Sequence, residues 1–281
     1  MLEKTFAQYE YEGWQRNAAD YDTIDLPTTR QAIAPILDSL GNLSGQQVLE
    51  IASGTGHLAA AALQQGAIVV GVDVAPRMVA LAQQQVPTGA EFLIGDAADL
   101  PFEDARFDAA VCSFGLMHFA DPERVLCETA RVLKPGGICS FTIWQSPDQG
   151  NEFFGLVAQV LEIHADRAIE LPPAPPSYAL ADPAMREAML AQAGLGIIQV
   201  KTLPIAWPLQ GRETLVEFIA KGSVRTRMLY ERQTTEVQAR IREALLEAIL
   251  PYLEAGKVEI ACPAVLVTAC AIAPVPKLNI T

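Results

Sequence analysis

The sequence predicts a doubly wound α/β fold, a mostly parallel sheet covered by helices on both faces. Three observations predict it. From Gln46 onward, short β-rich runs alternate with helical stretches. The runs are continuously apolar, as in strands buried on both faces. The helical stretches between them allow right-handed crossovers. A chain of 281 residues with 51% hydrophobic and 19% charged residues can bury a large core, which excludes a mostly disordered protein.

The elements follow in order. Two N-terminal helices are expected, Glu3–Tyr21 and Thr28–Leu40, the second with Thr28 or Thr29 as N-cap and Gly41 as its stop. QVLEIA, AIVVGVD, AEFLIGD, FDAAVCSF and ICSFTIW read as strands, with HLAAAALQQG, PRMVALAQQQ and PERVLCETARVLKPGG as helices among them. After Trp144 the alternation lapses. Asn151–His164 reads as a helix, Leu171–Ser177 as a proline-rich connector, and Asp182–Ala193 as a helix with Asp182 and Pro183 at its start. GIIQVKTLPIAW reads as one strand, and Arg212–Lys221 and Thr235–Leu253 as helices. The second of these carries Val237, Ile241, Leu245, Ile249 and Leu253 on one stripe, interrupted by Pro251. KVEIACPAVLVTACA reads as the last strand. The expected organisation is a helical cap over residues 1–45 and a sheet domain over 46–281. That domain carries a helical lid insertion at about 148–194 and further helices at about 211–255.

Twenty basic against thirty-three acidic residues give a net charge of −13, which repels phosphate backbones and anionic membrane surfaces. A small molecule is the expected partner, with no nucleic acid and no membrane, on a monomer or homodimer. Cys112, Cys127, Cys139, Cys262 and Cys270 form no C-x-x-C pair and read as buried thiols of a reducing compartment. His57, His118 and His164 lie far apart, so no metal site is expected. The N-terminus lacks a signal-peptide pattern, and the apolar stretch Ala261–Val275 is broken by Pro263 and Pro274. Cytoplasmic localisation is the expectation.

Chemistry concentrates in VLEIASGTGHLA. A strand carrying Glu50 leads into a loop of Ala52, Ser53, Gly54, Thr55 and Gly56, then a helix. Glycines at such a turn let a ligand lie against the backbone. Asp73 ends the next strand, where a carboxylate can accept both hydroxyl hydrogens of a ribose. Asp96 ends the third strand and is followed by Ala97; that pair can read an adenine edge by carboxylate and backbone N–H. GTGHLA also satisfies the dinucleotide form G-x-G-x-x-A, which keeps an NAD(P)-dependent oxidoreductase open. However, Val48–Val74 contains no Arg or Lys to meet a pyrophosphate, whereas Glu50, Asp73 and Asp96 suit a cationic ligand.

The order ExAxGxG (Glu50–Gly56), GVDVAPRMVALA (Gly71–Ala82), GDA (Gly95–Ala97), FDAAVCSF (Phe107–Phe114) and LKPGG (Leu133–Gly137) resembles the class I S-adenosylmethionine-dependent methyltransferases. It resembles in particular the small-molecule branch that includes the ubiquinone and menaquinone enzymes. The resemblance covers about residues 46–145. It implies a Rossmann-like, seven-stranded sheet with the last strand antiparallel, and a methyl transfer from S-adenosylmethionine to a small-molecule acceptor that leaves S-adenosylhomocysteine. Glu50 and Ala52–Gly56 would hold the methionine part, and Asp73 the ribose. Val74 and Met78 would pack on the adenine while Asp96 and Ala97 read its edge. Ser113 and Phe114 would lie beside the transferring methyl. One position departs from the pattern: Ala52 stands where the family usually has its first glycine. That leaves a non-catalytic binding subunit as a further alternative.

Catalysis is less defined. His118 is a candidate general base, or else a residue that orients the loop before Asp121. A lid over the cofactor and acceptor is expected from Tyr9, Trp14 and Tyr21 in the N-terminal helix, and from Phe153 and Phe154 in the insertion; packing is the competing role for each.

Overall fold

A computed structural model of the protein describes residues 4–166 and 168–272. Nine strands are present among them: β1 (Gln47–Ile51), β2 (Ile68–Asp73), β3 (Ala90–Ile94), β4 (Phe107–Ser113), β5 (Leu133–Trp144), β6 (Leu195–Leu203), β7 (Ala206–Pro208), β8 (Glu259–Ala261) and β9 (Ala264–Ala271). Seven form one sheet in the order β3-β2-β1-β4-β5-β9-β6. The last strand, β9, runs antiparallel to both β5 and β6, and the pairs among β1–β5 are parallel. The seven-stranded, mostly parallel Rossmann-like sheet expected from the sequence is therefore present.

Strand alternation divides the core between the two faces. Leu49 and Ile51 join Phe107, Phe141 and Leu126 under the helices Pro122–Val132 and Pro183–Gln192. Val48 and Val69 join Ile36, Leu58 and Val79 on the opposite face, under the helices Ile33–Leu40, His57–Gln64 and Pro76–Gln85. A third apolar cluster lies away from the sheet. There Ile241 and Leu245 of the helix Thr235–Ala248, and Ile249 just after it, pack against Phe153, Trp207 and Phe218.

Several expected elements differ in detail, each for a local reason. The first helix is Phe6–Asn17, capped by a Thr5–Gln8 capping box, and Tyr21 begins a separate turn; Glu3 lies outside the described residues. The second expected helix is broken into Leu26–Thr29, a 3₁₀ turn Arg30–Ala32, and Ile33–Leu40. Pro35 cannot donate to the Gln31 carbonyl and its ring crowds it, so an α-helix cannot run through. Neither Thr28 nor Thr29 caps a helix. The Thr28 hydroxyl has no partner, and that of Thr29 donates to the Asp25 carbonyl.

GIIQVKTLPIAW is two strands, and so is KVEIACPAVLVTACA. Pro204 and Pro263 interrupt them at the same level: Leu203 pairs with Ala264 in the large sheet, and Ala206 with Ala261 in a two-stranded ribbon of β7 and β8. Proline removes the ladder donor, and here both chains leave the sheet together. Arg212–Lys221 is an α turn followed by a π turn, Phe218–Gly222. A helix at Val224–Glu231, capped by Ser223, has no counterpart in the sequence reading. The long helix ends at Ala248, with Pro251 in the first turn of the next. Among the cysteines, Cys127 is exposed rather than buried. Pro274 lies outside the described residues.

Candidate functional site

The carboxyl ends of β1, β2, β3 and β4 converge on a cavity of about 880 Å³, roofed by the N-terminal segment and by residues after Trp144. This volume lies toward the upper end of the range for ligand pockets. A smaller recess beneath the glycine loop adjoins it and shares Tyr21, Thr29, Ala52, Gly54 and Ser113 with it.

The loop is folded by its own backbone. Ser53 N–H donates to the Val72 carbonyl at 3.1 Å and Gly56 N–H to the Ser53 carbonyl at 3.0 Å. Gly56 has φ +83°, and a Cβ there would meet Ala82 Cβ at 3.1 Å and Phe92 Cζ at 3.2 Å, so the loop seats on its neighbours only without a side chain. Ala52 adopts φ +53°. It takes up left-handed geometry despite its methyl group, at an expected cost of about 1–2 kcal/mol. Phe114 is a second non-glycine residue in this region, at φ +54°. Its N–H donates to both the carbonyl and the hydroxyl of Thr142, and its ring stacks on Trp144. Such strain persists where surrounding contacts fix it.

Asp73 is 8% exposed and bonded on both oxygens: Gly54 N–H donates to Oδ2 and Ala75 N–H to Oδ1, each at 2.9 Å. The side chain thereby joins the glycine loop to the next helix. Burial raises its pKa, and the two N–H donors oppose the rise. Glu50 lies deeper, in the recess, with Oε2 buried and unpartnered. Burial pushes its pKa up to about 8; an Ala59 backbone N–H opposes the rise, and the charge of Asp73 adds to it.

The sign of the resulting pH dependence follows. Between the ordinary carboxylate range and about pH 8, the folded protein holds a proton on Glu50 that the unfolded chain has released, so this group removes stability as pH rises through that window. Glu50→Gln is expected to flatten the fall in urea-unfolding stability of the ligand-free protein between about pH 5 and 8. A slope identical to that of the native protein would refute the buried, protonated assignment.

The other expected residues divide. Val74, Met78, Asp96, Ala97, Ser113, Phe114 and His118 all border the main cavity. The Asp96 carboxylate, exposed, accepts from Ala98 N–H at 2.9 Å. Ser53, Thr55 and Gly56 border the recess. Trp14, Tyr21 and Phe154 line the cavity, but Tyr9 and Phe153 do not. Tyr9 lies under the Arg232 guanidinium, which donates to its hydroxyl. Phe153 is fully buried against Trp207. Both were expected in the lid, and packing takes them instead.

Sequence reasoning missed four residues of the N-terminal segment. Asp22 accepts from the Thr55 hydroxyl at 2.7 Å and lies 3.3 Å from His57 Nε2, tying the segment to the glycine loop. Arg30 borders the recess. Glu10, buried, lies 3.0 Å from His118 Nδ1 and accepts from the Trp14 indole at 3.0 Å. Asp25 lines the cavity. The 108 residues separating Glu10 from His118 left no local signal. A partial one was that Asp22 and Asp25 fall in an apolar, threonine-rich stretch.

Residues 49–141 match the family model described as "Methyltransferase domain". The chain is 40% identical over 141 residues to a demethylmenaquinone methyltransferase of Thermus thermophilus, covering 48% of this chain and 61% of the relative. It is 40% identical over 119 residues to one from Clavibacter sepedonicus, covering 41% and 46%. The match thus spans about half the length of these relatives. Among solved structures, phosphoethanolamine N-methyltransferase 2 of Haemonchus contortus, in complex with phosphomonomethylethanolamine and S-adenosylhomocysteine, superposes with a TM-score of 0.57 at 19% identity. That superposition covers 96% of this chain and 61% of the other. The YcgJ protein of Bacillus subtilis gives 0.56 at 21% identity, over 87% and 99%. These likenesses are to the fold. Residues 49–141 thus match a methyltransferase-domain family within a sheet that has the topology of the Rossmann-like methyltransferase fold.

Proposed function

We propose that this protein transfers a methyl group from S-adenosylmethionine to a small-molecule acceptor bound under the lid. The observation that carries this reading is the hydrogen bonding of the glycine loop. The N–H groups of Ser53, Gly54 and Gly56 already donate to protein acceptors, one of them the Asp73 carboxylate. A diphosphate needs such amides free and cations nearby. An adenosyl sulfonium instead needs a carboxylate for the ribose and acidic surroundings for its ammonium group, which Asp73, Glu50 and the unpartnered Ser53 hydroxyl supply. The residues present fit that cofactor better than a dinucleotide.

In this reading Asp73 accepts from the ribose hydroxyls, Val74 and Met78 flank the adenine, and Asp96 with Ala97 reads its edge. Glu50 and the loop hold the methionine part, with Arg30 meeting its carboxylate. When bound, the cofactor supplies an electrophilic methyl on a good leaving group, so the chain's task is alignment and exclusion of water. Ser113 and Phe114 border the reacting end, with Tyr21 and Trp14 as cover. His118 has one ring nitrogen engaged by Glu10, which leaves the other to take a proton from acceptors that must lose one.

The test is ligand-induced stabilisation. S-adenosylhomocysteine is expected to raise the melting temperature in a concentration-dependent way, and NAD is not, because only a ligand bound to the folded state stabilises it. Stabilisation by NAD alone would overturn the proposal.

A further inference from the structure

Beyond Ser113 and Phe114 the cavity opens into a chamber bordered by Asp25, Trp144, Phe154, Trp207 and Phe218. All five lie outside residues 49–141, so the family match says nothing about what the chamber accepts. One wall is aromatic. Phe114 stacks on Trp144 at 3.9 Å between centroids, and Trp144 meets Phe154 edge-on at 5.4 Å. Phe154 continues to Phe218 at 5.5 Å, and Phe218 meets Trp207 at 5.0 Å.

Asp25 is 7% exposed, and its Oδ2 is buried with no hydrogen-bond partner. Burial alone holds its pKa well above the usual carboxylate range. The π turn Phe218–Gly222 sets carboxyl and ring side by side. A Cβ at Gly222 would lie 2.9 Å from Asp25 Oδ1 and 3.0 Å from Phe218 Cδ2, so glycine there keeps both in place. Among the other charged groups that border the cavity, Arg225 donates one N–H to the Pro172 carbonyl, Arg124 donates to the Ala98 carbonyl, and Glu10 serves His118 and Trp14.

We infer that Asp25 and the aromatic wall recognise the ammonium group of a basic methyl acceptor, an amine or its partly methylated form. The inference rests on the methyl-transfer reading of the same site. Ring faces carry negative potential and attract a cation, whereas they disfavour the carbonyl oxygen that a neutral carboxyl could otherwise bind. A buried carboxylate without a cation is costly, so the carboxyl keeps its proton in the empty chamber; an arriving ammonium pairs with the carboxylate as that proton leaves to solvent. The step balances. An Asp25 oxygen accepts a proton from the ammonium; the freed nitrogen lone pair forms the new N–C bond as the C–S bond breaks, and its electron pair returns to sulfur.

The test uses choline and its uncharged isostere 3,3-dimethyl-1-butanol, titrated calorimetrically into the full chain saturated with S-adenosylhomocysteine. The native protein is expected to bind choline at least tenfold more tightly than the alcohol. Asp25→Asn is expected to erase that preference while S-adenosylhomocysteine affinity stays within about twofold. Absent choline binding or equal affinity for the two probes in the native protein overturns the inference whatever the variant does. So does an Asp25→Asn protein that keeps the preference, or one that loses affinity for S-adenosylmethionine but not for S-adenosylhomocysteine, since the carboxyl would then serve the sulfonium. Failure of S-adenosylhomocysteine itself to bind would instead remove the methyl-transfer reading.

Discussion

Asp73→Ala is expected to weaken S-adenosylhomocysteine binding by about 100-fold, near 2.7 kcal/mol. Two losses combine. The ribose hydroxyls lose a charged acceptor, a bond worth about 1.5–3 kcal/mol. The Gly54 and Ala75 N–H groups also lose their shared partner, which loosens the tie between glycine loop and adenine-side helix. Asp73→Asn separates the two in part: its amide oxygen can still accept from Gly54 N–H, so the loop bond persists while the charge and the Ala75 bond are lost, and an intermediate affinity is expected. Calorimetric titration, with circular dichroism to verify the fold, measures both. An alanine variant within threefold of native affinity would show that the ribose lies elsewhere.

How much of this site was legible in the sequence follows from how local each signal is. Asp73, Asp96 and the loop Ala52–Gly56 are set by strand ends and the turns after them, which a short window contains. The sheet was readable for the same reason, since buried parallel strands are continuous apolar runs. The lid was not. Glu10 meets His118, Asp22 meets Thr55, and Asp25 meets the turn ending at Gly222, each pair brought together only by the closed fold. The strand breaks at Pro204 and Pro263 were present in the sequence, but their shared level depends on a register no single strand reveals. Ala52 shows the opposite limit. The departure is visible in the sequence, but only the structure shows that the alanine takes up a left-handed, glycine-like geometry beside the Ser53–Val72 bond.

Phe153→Ala is expected to destabilise the protein by about 3–5 kcal/mol, against less than about 2 kcal/mol for Phe154→Ala. Adjacent residues on a helix point about 100° apart, so only one of the pair can face the cavity. The Glu152–His164 helix turns Phe154 toward it and Phe153 into the third core. Phe153 has no exposed surface; it stacks on Trp207 at 4.2 Å with rings 7° from parallel and meets Phe218 edge-on at 5.1 Å. Its removal leaves a cavity behind the chamber wall, and close-packed surroundings close such cavities only in part. Urea unfolding of the two variants reads the difference directly, and the reverse order of destabilisation would mean that the helix presents its other face. The functional consequence is separable. Trp207 and Phe218 border the cavity and lean on Phe153 from behind, so a Phe153→Ala protein that remains folded should keep its S-adenosylhomocysteine affinity while its discrimination between choline and the neutral isostere falls. Packing out of reach of any ligand would thus set the shape of the surface that selects one.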